Sequence, residues 1–540
     1  MQPPETAVKQ SASAGASPFP SGHARVAHWV TLLLLLAAGT GARLVCLTHK
    51  PYWFDETFSV EVARIDWRSF LHLLWWREAN MSLYYVLLRT WLHLGQSEFF
   101  IRSLSVLFAV ATLPAIYWVA RLLYNRRVAL IATALLAFNS YHVRYAQEAR
   151  GYTLFLLLAT LSCGFLIAFL REPSNRARRG YILASILAVY GHFYALLLLA
   201  VHWMAVRWMV SPGAAPDQRN IEISAQLRRS WIRIGLAVLP LLVFVAKTGA
   251  GPIRWIQRPG LHDVLAFCEN FAGSNRWPLA LIYAIACIAA VAPFRRQLRA
   301  CGQSWEVWRC QFLVLWLLFP VVLTIVASIA RPVFLPRYLI FCLPALLILA
   351  AAGLARLRQS SLLQSSLLQS GLLQSGLLAV VLTGMLFLSL QGIFFVYDHD
   401  LDTSRDAAGA ATYFILDHTQ PGDAVFFHIP QIRVPYEFYR SVRAGEDSAS
   451  SSFTGQVGPE ILYPHYATGL SYRDFRGKLT EDFVRATAPG HRRVWVVLMY
   501  NGPKLPDPTA VLLSRVLPET FPKVQRWQFP QVEIRLYSKE

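Results

Sequence analysis

The chain is short of charge. Only 15% of its 540 residues are Asp, Glu, Lys or Arg, where an ordinary soluble domain carries about 25%. Hydrophobic residues make up 55% of the sequence and the mean hydropathy is positive, so a string of water-soluble domains is excluded: too few polar groups exist to cover their surfaces. Acid is scarcer than base, with 31 Asp and Glu against 51 Lys and Arg. That excess does not gather into a basic stripe on a soluble domain, which excludes the nucleic-acid reading of the charge. The seven cysteines are scattered through apolar runs and loops without a CxxC pair or Cys/His metal spacing. They are expected to be packed free thiols rather than a disulfide framework.

What the chain has in quantity is apolar runs long enough for a hydrocarbon core, which takes about 20 helical residues per crossing. They fall near 29–47, 101–122, 128–141, 151–170, 180–191, 193–210, 233–249, 277–294, 311–330, 338–355 and 377–397. The expected fold class is an α-helical polytopic membrane protein of about eleven transmembrane helices. Residues 1–28 open on Ser, Ala, Pro and Gly with nothing to bury and are expected to be a disordered cytoplasmic lead-in. The first run is too long for a signal-peptide core and has no convincing cleavage site after it, so it is read as a retained span.

Arginines mark one side of the membrane. Arg121, Arg126 and Arg127; Arg171, Arg176, Arg178 and Arg179; Arg228, Arg229 and Arg233; Arg295, Arg296 and Arg299; and Arg356 with Arg358 fall in alternate connections, which the positive-inside rule assigns to the cytoplasm. In an inner-membrane protein the opposite, periplasmic side then receives the first outer loop, 48–100, the loops holding Glu148, His192 and Arg337, and everything after residue 397. The cytoplasmic stretch 359–377 repeats QSSLLQSSLLQSGLLQSGLL in steps of five, a poor helical period, and reads as a spacer. Residues 398–540 alternate short β-like runs, Ala424–His428, Val494–Met499 and Val532–Tyr537, with an amphipathic stretch at Arg405–His418, the pattern of a small α/β domain.

Four polar groups from distant parts of the chain thus meet one membrane surface. The first loop opens PYWFDETFS; Tyr52 and Trp53 are expected at headgroup depth, holding Asp55 and Glu56 where a lipid phosphate would sit. Adjacent carboxylates diverge by about 100° on a helix and point to opposite faces of a strand, so one faces a site and the other holds the loop or joins a metal. Asp55 suits general-base work, since transfer of a sugar to a hydroxyl or amine requires a group to take the acceptor proton. In RYAQEARGYTL, Glu148 and Arg150 precede a long apolar helix; an acid there either pairs with Arg144 or Arg150, or assists an acceptor or metal while Arg150 meets phosphate. His192, in YGHFYALLL, is either a packed interfacial residue or part of the site. In RPVFLPRYLIFCLP, prolines fix the chain around Arg331, Arg337 and Tyr338. Arg337 is the residue expected on a lipid phosphate, to which a guanidinium offers a planar fork. The Trp-rich stretch 66–95 reads as amphipathic interfacial helices that could roof the site.

In order along the chain, WFDE, SLYYVLLRTWLHLGQSEFFIRSLSVLF, YAQEARGYTL, YGHFYALLL and LPRYLIFCLP resemble the bacterial GT-C glycosyltransferases. The RgtA/B/C/D-like group is nearest, and it is related to the family 39-like protein O-mannosyltransferases and lipid A aminoarabinose transferases. The resemblance covers residues 29–400. It implies a GT-C transmembrane domain over 29–397 and inverting transfer from an undecaprenyl-phosphate or similar lipid-linked sugar. The first-loop acid, here Asp55 beside Glu56, would be base or metal-proximal acid, and Glu148 the second-loop acid. Some relatives carry Asp where this chain has Gln147 and Glu148, so a divalent cation remains the open cofactor question. Partners would be the polyprenyl-phosphate sugar, membrane lipid and a glycan, lipid or protein acceptor, with no nucleic acid. No Rossmann-type domain with a DxD-like motif precedes residue 398, which argues for a lipid rather than a nucleotide donor. The reading from another class is a multi-span secondary transporter, which would place ionisable groups near the bilayer midplane, whereas the runs here are nearly free of acid.

Overall fold

In a computed structural model, the described residues are 22–539 apart from 77, 210–217, 250–255, 274–275, 302–303, 358–370, 400–406, 451–457, 464–478 and 500–506. Most of the expected lead-in and most of the expected spacer lie outside the described residues. Seven described helices are long and apolar enough to cross a membrane, or eight if a bent pair counts as one span.

The expected runs fall on helical segments, two of them on two segments each. The first half of the bundle comprises α1 (Gly22–Leu44), α2 (Phe54–Arg64), α3 (Trp67–Trp76), α4 (Ser82–Leu92), α5 (Glu98–Leu123), α6 (Arg126–Ala137), α7 (Ser140–Ala146), α8 (Tyr152–Arg171), α9 (Asn175–Gly191) and α10 (Ala195–Met209). The second half comprises α11 (Gln218–Thr248), α12 (Leu261–Ala272), α13 (Trp277–Val291), α14 (Phe294–Cys301), α15 (Trp305–Ala330), a 3-10 segment at Pro336–Cys342, α16 (Leu343–Leu357) and α17 (Gly371–Asp398).

Three runs differ from expectation, each for a local reason. The run 128–141 breaks because the Asn139 side chain caps a new helix by accepting from His142 N, which ends α6 and starts α7. The α11 helix begins fifteen residues before its apolar run: Ile223 and Leu227 are buried while Arg228 and Arg229 on the same segment are exposed, an amphipathic extension. The run 277–294 is one limb of a pair, α12 and α13, bent by 78°.

Packing explains why the long helices stay together where hydrocarbon gives no hydrophobic drive: small residues let backbones approach. On α16, a Cβ added to Gly353 would lie 1.8 Å from the Ala286 carbonyl oxygen of α13. Arg43 of α1 is fully buried and donates to the Ala137 and Leu136 carbonyls at 2.9 and 3.0 Å. It thereby ties α1 to the open carbonyls at the end of α6.

After the bundle come α18 (Ala408–His418), β1 (Ala424–Phe427), α19 (Pro430–Ser450), β2 (Glu460–Ile461), α20 (Glu481–Thr487), β3 (Arg493–Met499), α21 (Pro508–Thr520), β4 (Lys523–Phe529) and β5 (Val532–Ser538). The sheet order is β2-β1-β3-β5-β4, parallel across β2, β1 and β3 and antiparallel across β3, β5 and β4. Each strand read from the sequence is present; β2 and β4 are additional. The wholly apolar β1 is buried along its length, as a central parallel strand must be, while β4 carries Lys523 and Arg526 on an open edge. This domain rests on the first outer loop: Tyr439 of α19 donates to the Tyr52 carbonyl at 3.0 Å, and Phe438 packs edge-on against the Tyr52 ring at 5.0 Å.

Candidate active site

The acidic pair lies in the first turn of α2, where the helix N-terminus favours negative charge. As the helical period requires, its two carboxylates part company. Glu56 is fully buried and takes two hydrogen bonds from Arg102 of α5, at 2.8 and 2.9 Å, and a third from the Ala149 backbone N at 2.9 Å. Arg102 also donates to the Leu47 and Lys50 carbonyls and to Glu98. These partners give Glu56 the task of holding the loop, joining α2, α5 and the 148–150 turn around one ion pair.

Asp55 points the other way, 18% exposed, and meets two guanidiniums. Arg150 Nη2 stands 3.8 Å and Arg337 Nη2 3.6 Å from the same Oδ2, an ion-pair spacing wider than a hydrogen bond. Arg150 is fixed by hydrogen bonds from Nη1 to the Asp55 carbonyl (3.3 Å), Ser59 Oγ (3.1 Å) and Tyr85 Oη (3.3 Å). Arg337, in the 3-10 segment, lies over the Trp53 ring at 5.4 Å, a stacking that suits a planar guanidinium. Tyr52 and Trp53 are buried in the wall of the site. The C-terminal domain covers Tyr52, and Arg337 covers Trp53.

His192 caps the end of α9 among aromatic rings: it stacks on Phe155 at 5.0 Å and sits 4.4 Å from the ring of Tyr338. Its Nδ1 accepts from Tyr194 N at 3.1 Å. Burial pushes its imidazole down to about 3, with the Arg150 and Arg337 charges acting in the same direction, so it is a neutral wall residue that feels both arginines. Tyr338 packs between His192 and Tyr194.

The other two candidates lie apart. Glu148 is buried 3.7 Å from Arg144, and its carbonyl, not its carboxylate, accepts from Arg150 N at 2.7 Å. It shapes the turn that delivers Arg150. Arg331 is exposed at the end of α15, separated from Arg337 by an extended stretch with a proline at each end.

One residue was missed. Glu78 stands between α3 and α4 in a loop read as interfacial packing. Burial pushes its carboxyl up to about 7, Arg150 pulling it down and Asp55 adding to the rise. Two residues on, Asn80 accepts from Phe193 N at 3.1 Å and stands 3.5 Å from His192 Nε2, tying this loop to the α9–α10 turn. A lone Glu in a Trp-rich amphipathic loop carries no motif; the polar residues Arg77, Glu78 and Asn80 interrupting the apolar pattern were the available signal. Among the described residues no group of three or more His, Cys, Asp or Glu side chains is assembled to hold a metal ion.

Beside the bundle's second half runs an apolar cleft of about 600 Å³ between α10, α13 and α15, lined by Trp208, Phe294, Leu318, Val322 and Val326 among others. Its α15 wall leads through Ala330 towards the segment carrying Arg337.

Neither a family model nor a curated protein matches this chain. Solved structures do. ArnT from Cupriavidus metallidurans in the apo state matches with a TM-score of 0.56 at 14% identity, over 95% of this chain and 98% of that one. The same protein bound to undecaprenyl phosphate matches with a TM-score of 0.53 at 12% identity, over 94% and 98%. The oligosaccharyltransferase AglB from Archaeoglobus fulgidus, in complex with an inhibitory peptide and a dolichol-phosphate, matches with a TM-score of 0.52 at 8% identity, over 88% and 70%. The chain has the GT-C fold that its motifs suggested.

Proposed function

We propose that this protein is a membrane glycosyltransferase that moves a sugar from a polyprenyl-phosphate donor to a hydroxyl or amine of a glycan, lipid or protein acceptor on the periplasmic face of the inner membrane. The observation that carries the reading is the convergence of Arg150 and Arg337 on Asp55 at one surface of a GT-C bundle. Two fixed cations held at ion-pair distance from one carboxylate suit a site that must accept a phosphate and keep an acid beside it. Both structural neighbours were solved with a polyprenyl-type phosphate, which supports that class of donor.

In this reading the polyprenyl chain lies in the apolar cleft beside α15, and its phosphate sits on Arg337 and Arg150. The acceptor oxygen or nitrogen attacks the anomeric carbon in line as the bond from that carbon to the phosphate oxygen breaks. The phosphate leaves with the electron pair, stabilised by the two guanidiniums, and Asp55 takes the acceptor proton. The configuration at the anomeric carbon inverts. Glu56 and Glu148 serve by position, through Arg102 and the Arg150 turn. One feature favours a second assignment of the base: burial pushes the Glu78 carboxyl up to about 7, within the electrostatic reach of Arg150 and Asp55, and a general base works best near the working pH. A divalent cation is left to experiment.

Binding of undecaprenyl phosphate tests the donor reading. Native protein in lipid nanodiscs should bind it about tenfold to a hundredfold more tightly than Arg337→Gln, the loss expected for a charge-assisted hydrogen bond. Equal affinity in the variant would remove Arg337 from the phosphate.

A further inference from the structure

A second cavity, of about 200 Å³, lies at the opposite end of the bundle. Its position follows from the helices: α5 starts beside the Glu56–Arg102 pair and ends at Leu123 after 26 residues, a rise of about 39 Å. The cavity opens just beyond, among Tyr124, Asn125, Arg127, Arg309 and Arg356. By the distribution of arginines this is the cytoplasmic face.

The lining is divided by chemistry. It holds three guanidiniums, together with the apolar Val128, Ile131, Ala352, Ala355 and Leu378 from α6, α16 and α17. No carboxylate lines it, and none of the three arginines has an ion pair among the described residues. The stretch 358–370, which follows Arg356 directly, contains no acidic residue at all. The bland account makes the arginines caps for helix ends, and part of it holds: Arg309 donates to the Leu123 carbonyl at 3.1 Å and Arg356 to the Ala290 carbonyl at 2.5 Å. Each bond employs one N–H of the five that a guanidinium offers. Arg309 keeps a buried Nε with no hydrogen-bond partner, its guanidinium stacked 4.3 Å from the Tyr124 ring, and Arg127 contributes nothing to either cap. Arg127 is exposed and Arg309 and Arg356 are half-buried, so three positive charges line an open void that no carboxylate enters, an arrangement suited to an anion.

We propose that this cavity binds the phosphodiester headgroup of an anionic phospholipid from the cytoplasmic leaflet, its glycerol and first acyl carbons resting on the Ile131, Ala355 and Leu378 wall. The shared chemistry with free phosphate is the phosphate oxyanion; the apolar wall is what selects a lipid. The site joins α5, α6, α15, α16 and α17, and is independent of the glycosyltransferase reading.

The test is native mass spectrometry of the full chain released from nanodiscs holding equal phosphatidylglycerol and phosphatidylcholine of matched acyl chains. A thermal-shift series with phosphatidylglycerol or inorganic phosphate runs alongside. Native protein should retain phosphatidylglycerol about tenfold over phosphatidylcholine; Arg127→Gln with Arg309→Gln should abolish that preference. Leu378→Trp, which keeps every cation but fills the wall, should abolish it too, and it guards against loss of the α5 cap as the cause. Arg176→Gln with Arg179→Gln, removing two exposed charges from the same face outside the cavity, should leave it intact. The proposal fails if the cavity variants keep the preference, if the surface pair removes it equally, or if inorganic phosphate stabilises the protein as much as the lipid does.

Discussion

Asp55 and Glu56 are neighbours in the chain with opposite environments, and the difference predicts opposite phenotypes. Asp55→Asn keeps shape and hydrogen bonding but removes the proton acceptor, so turnover should fall by about a hundredfold to ten-thousandfold while thermal unfolding stays within a degree or two of native. Glu56→Gln should do the reverse. It takes the buried carboxylate from Arg102 and leaves only the part-exposed Glu98 to pair with it, a loss of up to about 3–5 kcal/mol, the range measured for broken buried pairs, and should appear as a lower unfolding temperature in detergent. Glu78 yields a pH signature. Its carboxyl, raised to about 7, is protonated below that point; if it is the base, kcat falls as pH drops through 7 and Glu78→Gln removes that limb together with activity. If Asp55 is the base, Glu78→Gln keeps substantial turnover. His192, pushed down to about 3, remains neutral across this range and adds no break of its own. Before the fold was known, Asp55, Arg150 and Arg337 could be named because arginine and acid at a membrane exit are costly and few. Helical divergence set Asp55 and Glu56 apart in role, but that Glu56 and Glu148 position rather than react is decided by the partner across space, Arg102 or Arg144, which spacing along the chain does not reveal.

Among elements, the apolar runs predicted helices well because a bilayer demands them, and the breaks were less legible because they depend on single side chains. Asn139 splits one run by capping α7, and nothing in hydropathy marks that. One close helix contact depends on a hydrogen atom. With Gly353 facing the Ala286 carbonyl, any Cβ must part α13 and α16, so Gly353→Ala should lower the unfolding temperature sharply, whereas alanine at Gly376, which has open space around it, should not. In the C-terminal domain, Asp423 accepts from Arg493 at 2.6 and 2.9 Å and from Trp495 Nε1 at 2.9 Å. Burial opposes its charge, but these donors outweigh burial and hold the carboxyl below the usual range. A depressed carboxyl adds stability above its unfolded value of about 3.9 that is lost as pH falls through the folded value. Acid unfolding of this domain below about pH 4 should therefore be blunted in Asp423→Asn, which is less stable at neutral pH to begin with.

At the scale of the whole molecule, three separated segments, α2, the turn before α8 and the 3-10 segment before α16, bring Asp55, Arg150 and Arg337 together. The C-terminal domain closes over the first of them through Tyr52, Phe438 and Tyr439. The most direct measurement is consumption of radiolabelled undecaprenyl-phosphate sugars by purified protein in lipid, with candidate acceptors, comparing native Asp55 with Asp55→Asn and each with added divalent ion or chelator. The account predicts that native protein releases undecaprenyl phosphate from at least one donor and that Asp55→Asn, folded and still binding the lipid, does not. Equal turnover by the variant would contradict the role of Asp55, and donors left intact by the native protein under every condition would contradict the transferase itself and make the secondary transporter the reading to test.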